Sequence, residues 1–199
     1  MVLRLVGTPR TFRQRAMAAA LDAGAGAAVS HQSAAALWRL PGFPTGAMHL
    51  SRHFGRSALA TVHRTRLPDT HLRRVEGIPV TGPARTIFDL AGVLHAARTE
   101  RALDNALARR LTTMADLHKV ADVLAAPGPD GSALMRRLLA ERDASYVAPE
   151  SNLERRFESI LRAAGVAVPL RQRDVGGAEW IGRADYLDQG CAEVGEAGL

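Results

Sequence analysis

An α+β fold is predicted for this 199-residue chain, and three features of the sequence predict it. Short strand-forming pieces lie at 48–51, 61–64 and 78–80, after two helical patterns. From 84 to 142 the chain reads as mostly helical. Past a linker at 143–149, a capped helix leads into two further strand-forming runs. The expected architecture is a small β part plus a helical bundle over 1–143, followed by a partial α/β module over 149–199. Apolar residues make up 47% but aromatics only 5%, so Leu, Ala and Val must fill the core.

The elements follow in order. Residues 12–23 place Met17 and Leu21 at helical spacing, and Gly24 and Gly26 end that run. Ser30 is placed as the N-cap of a second helix over 34–40, because its hydroxyl can accept from a free N–H of the first turn. Pro41, Gly42 and Pro44 stop it. The pieces 48–51 and 61–64, joined by the arginine-bearing loop 52–57, read as a β-hairpin with a basic tip. The extended piece 78–80 precedes Thr81, expected to cap a helix that begins at Pro83, since proline suits the first helical position. Helical patterns continue at 98–111, 114–125 and 133–142, with a breaker cluster at 127–131. Ser151 and Glu154 have capping-box spacing and open a helix to about 164, closed by Gly165. Strands are expected at 166–175 and 180–187, with a shorter one at 192–194. Trp38 and Trp180 read as core anchors. Arg85 and Asp89, four apart on one helix, are expected to pair.

Composition bounds the function. No window of about 18 apolar residues exists, so no membrane span is expected. Residues 1–10 hold two arginines and no long apolar run, unlike a signal peptide. Cys191 is the only cysteine, which excludes an internal disulfide framework and a Cys-based zinc site. A cytoplasmic location is the resulting expectation. Lys119 is the single lysine. Arginine and alanine used this way reflect GC-rich coding, so the distribution of charge is more informative than its total. Residues 1–74 carry 11 arginines against Asp22 and Asp69, whereas the rest of the chain is net acidic and the whole is +6. That split favours an anionic partner for the N-terminal part. Arg52, Arg56, Arg64, Arg66, Arg73 and Arg74 form the densest basic set. On the expected hairpin and its following loop they are the candidate contacts to DNA phosphates, with a solvated arginine surface as the alternative.

His31 and Ser33 have no neighbouring acid to complete a nucleophilic pair, so capping and packing are expected of them. His49 and His53 are four apart but span strand and loop, and no zinc site is expected there.

Four segments in order carry a family resemblance. They are Ser30-His31-Gln32-Ser33-Ala34-Ala35-Ala36-Leu37-Trp38, Gly77-Ile78-Pro79-Val80-Thr81 with Pro83-Ala84-Arg85-Thr86, Glu100-Arg101-Ala102-Leu103-Asp104, and Ser151 with Leu153-Glu154-Arg155-Arg156-Phe157. Together they resemble the AbiEi-type antitoxin and regulator family of bacteria over about residues 2–187. Many of its members carry a C-terminal domain similar to very-short-patch-repair endonucleases. The resemblance implies a DNA-associated antitoxin or transcriptional regulator with a cognate toxin as partner. It makes 149–199 an incomplete restriction-endonuclease-like module of the PD-(D/E)xK type. It also implies truncation at both ends: the winged helix-turn-helix that usually opens such proteins is expected to be missing. The acidic strand that usually follows the Asp185 strand is expected to be replaced by 188–199.

In such folds an Asp ending one strand and an acid on the next hold Mg²⁺, which activates water against a phosphodiester. Asp185 matches the first position, and Glu154 matches a helix acid that sometimes contributes. Glu193, eight residues past Asp185, stands in for the second-strand acid, so Asp185 and Glu193 are the metal candidates. No lysine follows to stabilise developing charge. Glu154 as a capping-box residue and Asp185 as a strand-end turn former remain the structural alternatives. A non-catalytic regulator without a cofactor is therefore the primary reading. A Mg²⁺-dependent endonuclease and a non-functional fragment are the alternatives.

Overall fold

The computed structural model describes residues 7, 9–124, 131–142, 146, 148, 149, 152–176 and 180–187. The chain divides into two compact units, Met1–Ala144 and Ser145–Leu199. The class is α+β, as expected: the described residues form seven helices, a five-stranded mixed sheet and a two-stranded ribbon.

The first unit opens with α1 (Phe12–Ala23). The Thr11 hydroxyl caps it by accepting from the Gln14 N–H at 3.1 Å, and Gly24 at φ 85° ends it. Its buried residues are all alanine, at 16, 19, 20 and 23, so the helix can lie close to the sheet beneath it. Next come β1 (Ala28–Val29), α2 (His31–Leu37), β2 (His49–Arg52) and β3 (Thr61–Arg64). A 3₁₀ turn, Asp69–His71, leads into β4 (Leu72–Val75) and β5 (Ile78–Thr81). The spatial order is β3-β2-β1-β5-β4, which leaves β3 and β4 as the edges.

The expected hairpin over 48–64 is not formed: β2 and β3 run parallel, with His49 opposite Thr61 and Arg52 opposite Arg64. The loop between them is drawn back over α1. Asp22 accepts from the Ser57 hydroxyl at 2.8 Å and the Ala58 N–H at 3.0 Å, and these two bonds hold its carboxyl below the usual range. A chain tethered there returns to the start of β2 before pairing, so it pairs parallel. Two strands, β1 and β4, go beyond the sequence reading. β1 has only two residues, and β4 (Leu-Arg-Arg-Val) carries its arginines on an exposed edge.

Two expected caps are also corrected. Ser30 occupies the N-cap of α2, but its hydroxyl bonds His31 Nδ1 at 2.8 Å and caps no N–H. Gly82, not Thr81, is the N-cap of α3 (Pro83–Ala91), while the Thr81 hydroxyl pairs with that of Thr86 at 2.8 Å.

The helical part continues with α4 (Ala96–Ala108), α5 (Met114–Leu124) and α6 (Ser132–Ala140). Ile87, Phe88, Leu90, Leu103, Leu117 and Leu138 anchor its core. A second core joins α1 and α2 to the sheet through Val29, Leu50, Ile78 and Val80. Trp38 packs against both, and its indole N–H donates to the Thr81 carbonyl at 2.9 Å. It is the anchor expected of it. The Glu100–Asp104 segment has a structural reason. Leu103 is fully buried, and Glu100 and Asp104 both receive the buried Arg142 guanidinium, at 2.9 and 3.1 Å.

Arg85 pairs with Asp89 as expected, through Nε to Oδ1 at 2.7 Å, with both side chains almost fully buried. It does more than pair. Nη1 donates to the Arg66 carbonyl at 3.1 Å, Nη2 to the Thr65 hydroxyl at 2.9 Å, and Nη1 lies 3.3 Å from His71 Nδ1. One guanidinium on α3 therefore holds the whole connection 65–71 between the two sheet edges.

In the second unit α7 (Asn152–Ala163) precedes β6 (Leu170–Gly176) and β7 (Trp180–Leu187), which pair antiparallel. The first strand begins at Leu170, later than the expected 166. Gly165, at φ 69°, follows α7. Ser151, residues 125–130 and the expected strand at 192–194 lie outside the described residues, as does the Trp180 side chain.

Removing one partner of a buried ion pair strands the other charge. Arg85→Ala is therefore expected to lower stability by about 3–5 kcal/mol in urea unfolding. Arg85→Lys is expected to recover less than half of that, because an ammonium cannot reproduce the fork. Full recovery by Lys would show that charge alone matters at this position.

Candidate nucleic-acid interface

The six candidate arginines do not share one surface. Arg52 and Arg64 are register partners at one end of β2 and β3. Arg73 and Arg74 lie on β4, opposite Val80 and Pro79. The two edges are four strand spacings apart, about 19 Å. Three of the six are also spent on the fold. Arg52 donates to the Ala23 and Ala25 carbonyls at the end of α1. Arg73 donates to the Leu72 and Thr70 carbonyls at 2.7 and 3.1 Å, and Arg74 to Gly77 at 2.8 Å. Other arginines do the same, with Arg15 on Thr45 and Gly46, Arg98 on Gly42, and Arg109 on Arg39. Carbonyls at helix ends and turns lack partners of their own, and a guanidinium fork satisfies them.

Arg56, Arg64 and Arg66 differ: all three are exposed, and their side chains make no hydrogen bond or ion pair among the described residues. The loop after β2 brings Arg56 to the end of the sheet that holds Arg64. Gly55, at φ 116°, lies against the Arg52 guanidinium so closely that a Cβ there would come within 2.5 Å of Nη1. The positive φ is what favours glycine here, since the Arg52 side chain can shift to admit a Cβ. Arg66 follows β3 directly, with its carbonyl held by Arg85.

Arg66 lines a groove of about 710 Å³ together with His53, Thr65, Leu67, Pro68, Val123 and Leu124. Among the described residues no carboxylate lines it. Phe54 is 69% exposed and packs on the His53 ring, with centroids 3.9 Å apart. The sequence reading passed over Phe54, since a lone aromatic in a loop carries no periodic signal.

Behind β3 lies a layer of imidazoles, with His31 buried and His49 and His63 half-buried. By strand alternation His49 and His63 face away from Leu50 and Val62. His49 Nδ1 sits 3.1 Å from His63 Nε2, and His31 stacks on His63 with centroids 3.7 Å apart. His31 holds φ 52° at the turn from β1 into α2. Ser33 bonds the Ala47 carbonyl and the His49 N–H, at 3.1 and 2.9 Å. The capping-and-packing roles expected of this pair thus become packing and strand-clipping roles.

Of the nuclease-type candidates, Asp185 lies in β7 between Ala184 and Tyr186, and its side chain is outside the described residues, as is all of Glu193. Glu154 is partly buried on α7, near enough to Tyr186 to act on its charge. One turn on, Glu158 was missed by the sequence reading although Arg162 lies at i+4. It is almost fully buried and receives Arg171, Arg162 at 3.1 Å and the Tyr186 hydroxyl at 3.1 Å. Burial and the Glu158 carboxylate push the Tyr186 phenol up to about 12. A carboxylate engaged by two guanidiniums and a phenol has no lone pairs left for a metal. Among the described residues no group of three or more His, Cys, Asp or Glu is arranged to hold a metal ion, and no helix is long and apolar enough to cross a membrane.

The family model of the AbiEi antitoxin C-terminal domain matches residues 17–146. No curated protein and no solved structure matches the chain.

The imidazole layer sets a pH dependence. Burial lowers the pKa of His31, His49 and His63, and the neighbouring rings and Arg85 push His31 further, to about 3. His71, against Arg85, is lowered too. In the unfolded chain these groups titrate near about 6.5, so below that pH the unfolded state binds protons the fold excludes, and stability falls as pH falls. Asp89, pushed up to about 6 by burial against the opposing pull of Arg85, works in the opposite sense between about 6 and 4, but it is one group against four. The urea midpoint is expected to drop steadily from pH 7 to 5 while the His31 ring resonances stay unmoved. A flat or rising midpoint would contradict the layer's role.

Proposed function

Because this chain belongs to the AbiEi antitoxin C-terminal domain family, we propose that it is the antitoxin-type regulator of a toxin–antitoxin pair. It holds a nucleic-acid backbone along the β3 edge and does no chemistry on it. The observation that carries this reading is the division of labour among the arginines. Those at the β4 edge close turns, whereas Arg64 at the end of β3, Arg66 just after it and Arg56 in the loop after the adjacent β2 have no partner among the described residues. An exposed cation without an acid beside it suits a phosphate, which binds it through charge and releases counterions. Contacts of this kind position a backbone without reading its bases.

We read the second unit as an opening helix and first hairpin of a very-short-patch-repair-endonuclease-like module, with Asp185 on the second strand. The engagement of Glu158 by Arg171, Arg162 and Tyr186 supports a structural rather than a catalytic use of the acids on α7. Mg²⁺ is no part of this reading. The cognate toxin enters it as the partner implied by the family.

Fluorescence anisotropy over a salt series tests the arginine assignment. The Arg56→Ala/Arg64→Ala/Arg66→Ala variant is expected to lower the slope of log affinity against log salt by about 0.7–0.9 for each phosphate left without its arginine. Arg73→Ala/Arg74→Ala is expected to leave that slope unchanged. Equal effects of the two variants would mean that net charge, and not the β3 edge, drives binding.

A further inference from the structure

The β3 edge is more than a row of charges. Arg66 lines an apolar groove with Leu67, Pro68, Val123 and Leu124, and Val123 is 60% exposed, while Arg64 ends the strand that leads into it and Arg56 lies in the loop after β2. His53 lines the groove, and the next residue, Phe54, is 69% exposed with its ring tilted against that of His53, centroids 3.9 Å apart. A surface built only for duplex phosphates needs neither an apolar floor nor an exposed aromatic. Large apolar side chains left in water are unfavourable, and a cluster of them marks a contact surface. The groove has Arg66 and no carboxylate among its described lining, which favours an anionic ligand. An anionic backbone with flat apolar faces is single-stranded nucleic acid: arginines track the phosphates while unpaired bases stack on an aromatic ring. In a duplex those faces are already stacked and out of reach of Phe54.

Resting on the backbone-binding reading above, we propose that this site takes single-stranded nucleic acid. One base stacks on Phe54, a neighbour lies in the groove of residues 65–68 and 123–124, and Arg56, Arg64 and Arg66 hold the intervening phosphates.

The test uses the full chain and four labelled probes: a dT 20-mer, a U 20-mer, a 20-base-pair duplex and an oligoglutamate of matched charge. Both single strands are expected to bind at least about tenfold tighter than the duplex. Phe54→Ala is expected to weaken them by roughly 5- to 100-fold while leaving the salt slope intact, because stacking releases no counterions. Phe54→Tyr is expected to restore binding. Tighter binding of U than of dT assigns the site to RNA, and the reverse to single-stranded DNA. Duplex binding as tight as single strand, an unaffected Phe54→Ala variant, or oligoglutamate binding as tightly as either strand would overturn the proposal while leaving the arginine edge standing. If no nucleic acid binds at low salt, the arginine edge falls as well.

Discussion

The buried Arg85 guanidinium is the constraint on which the first unit depends. β3 and β4 are opposite edges of one sheet, yet they are consecutive in the chain. The connection between them must travel the width of the sheet, and residues 65–71 have too few apolar side chains to be held by packing alone. Arg85 supplies the hold with four contacts, to Asp89, Thr65, the Arg66 carbonyl and His71. A buried charge is tolerated when an opposite charge pairs with it, and Arg85 meets Asp89 Oδ1 at 2.7 Å, although Asp89 Oδ2 is buried without a hydrogen-bond partner. This pairing fixes where β3 ends and where Arg66 projects. The helix that carries Arg85 is the one in which Pro83 sets the first turn, so the sequence Pro-Ala-Arg-Thr joins helix start, charge node and interface in four residues.

The same fork geometry explains why an arginine-rich sequence does not make a uniformly cationic surface. Most of the described arginines of the first unit that the fold engages reach main-chain carbonyls at helix ends and turns. Only where no carbonyl or acid is within reach does the charge remain available to a ligand. On the proposed reading, the ligand-binding charges are those the fold leaves unused. Arg56 is free because Gly55 folds the loop onto Arg52, which takes the carbonyls at the end of α1. Arg64, at the end of the edge strand β3, is exposed and has no side-chain partner among the described residues.

How much of this was legible in the sequence follows from the range of each interaction. Local signals held: Gly24 ended α1, Pro83 opened α3, and Arg85 and Asp89 at i and i+4 did pair. The hairpin reading of 48–64 failed because strand pairing was decided by Asp22, more than 30 residues away, gripping Ser57 and Ala58. The six arginines were recognised as a basic set, but their separation was hidden. Carbonyl acceptors leave no mark in a sequence, and the 19 Å between edges, about four strand spacings, is a consequence of sheet order. Phe54 and Glu158 were missed for opposite reasons. Phe54 is a lone aromatic without periodicity. Glu158 sits one turn beyond Glu154, whose capping-box spacing offered a complete explanation of the acids on that helix.

In the second unit Glu158 is engaged by Arg171, Arg162 and Tyr186, whereas Arg56, Arg64 and Arg66 of the first unit have no carboxylate partner among the described residues. On the reading proposed above, nucleic-acid contact belongs to the first unit and to one segment of it. Hydrogen exchange followed by mass spectrometry, with and without a bound oligonucleotide, tests that placement most directly. Slowed exchange is expected in peptides covering 53–68, with peptides covering β4 and α7 unchanged. Protection centred on β4 or on the second unit, with none at 53–68, would contradict it.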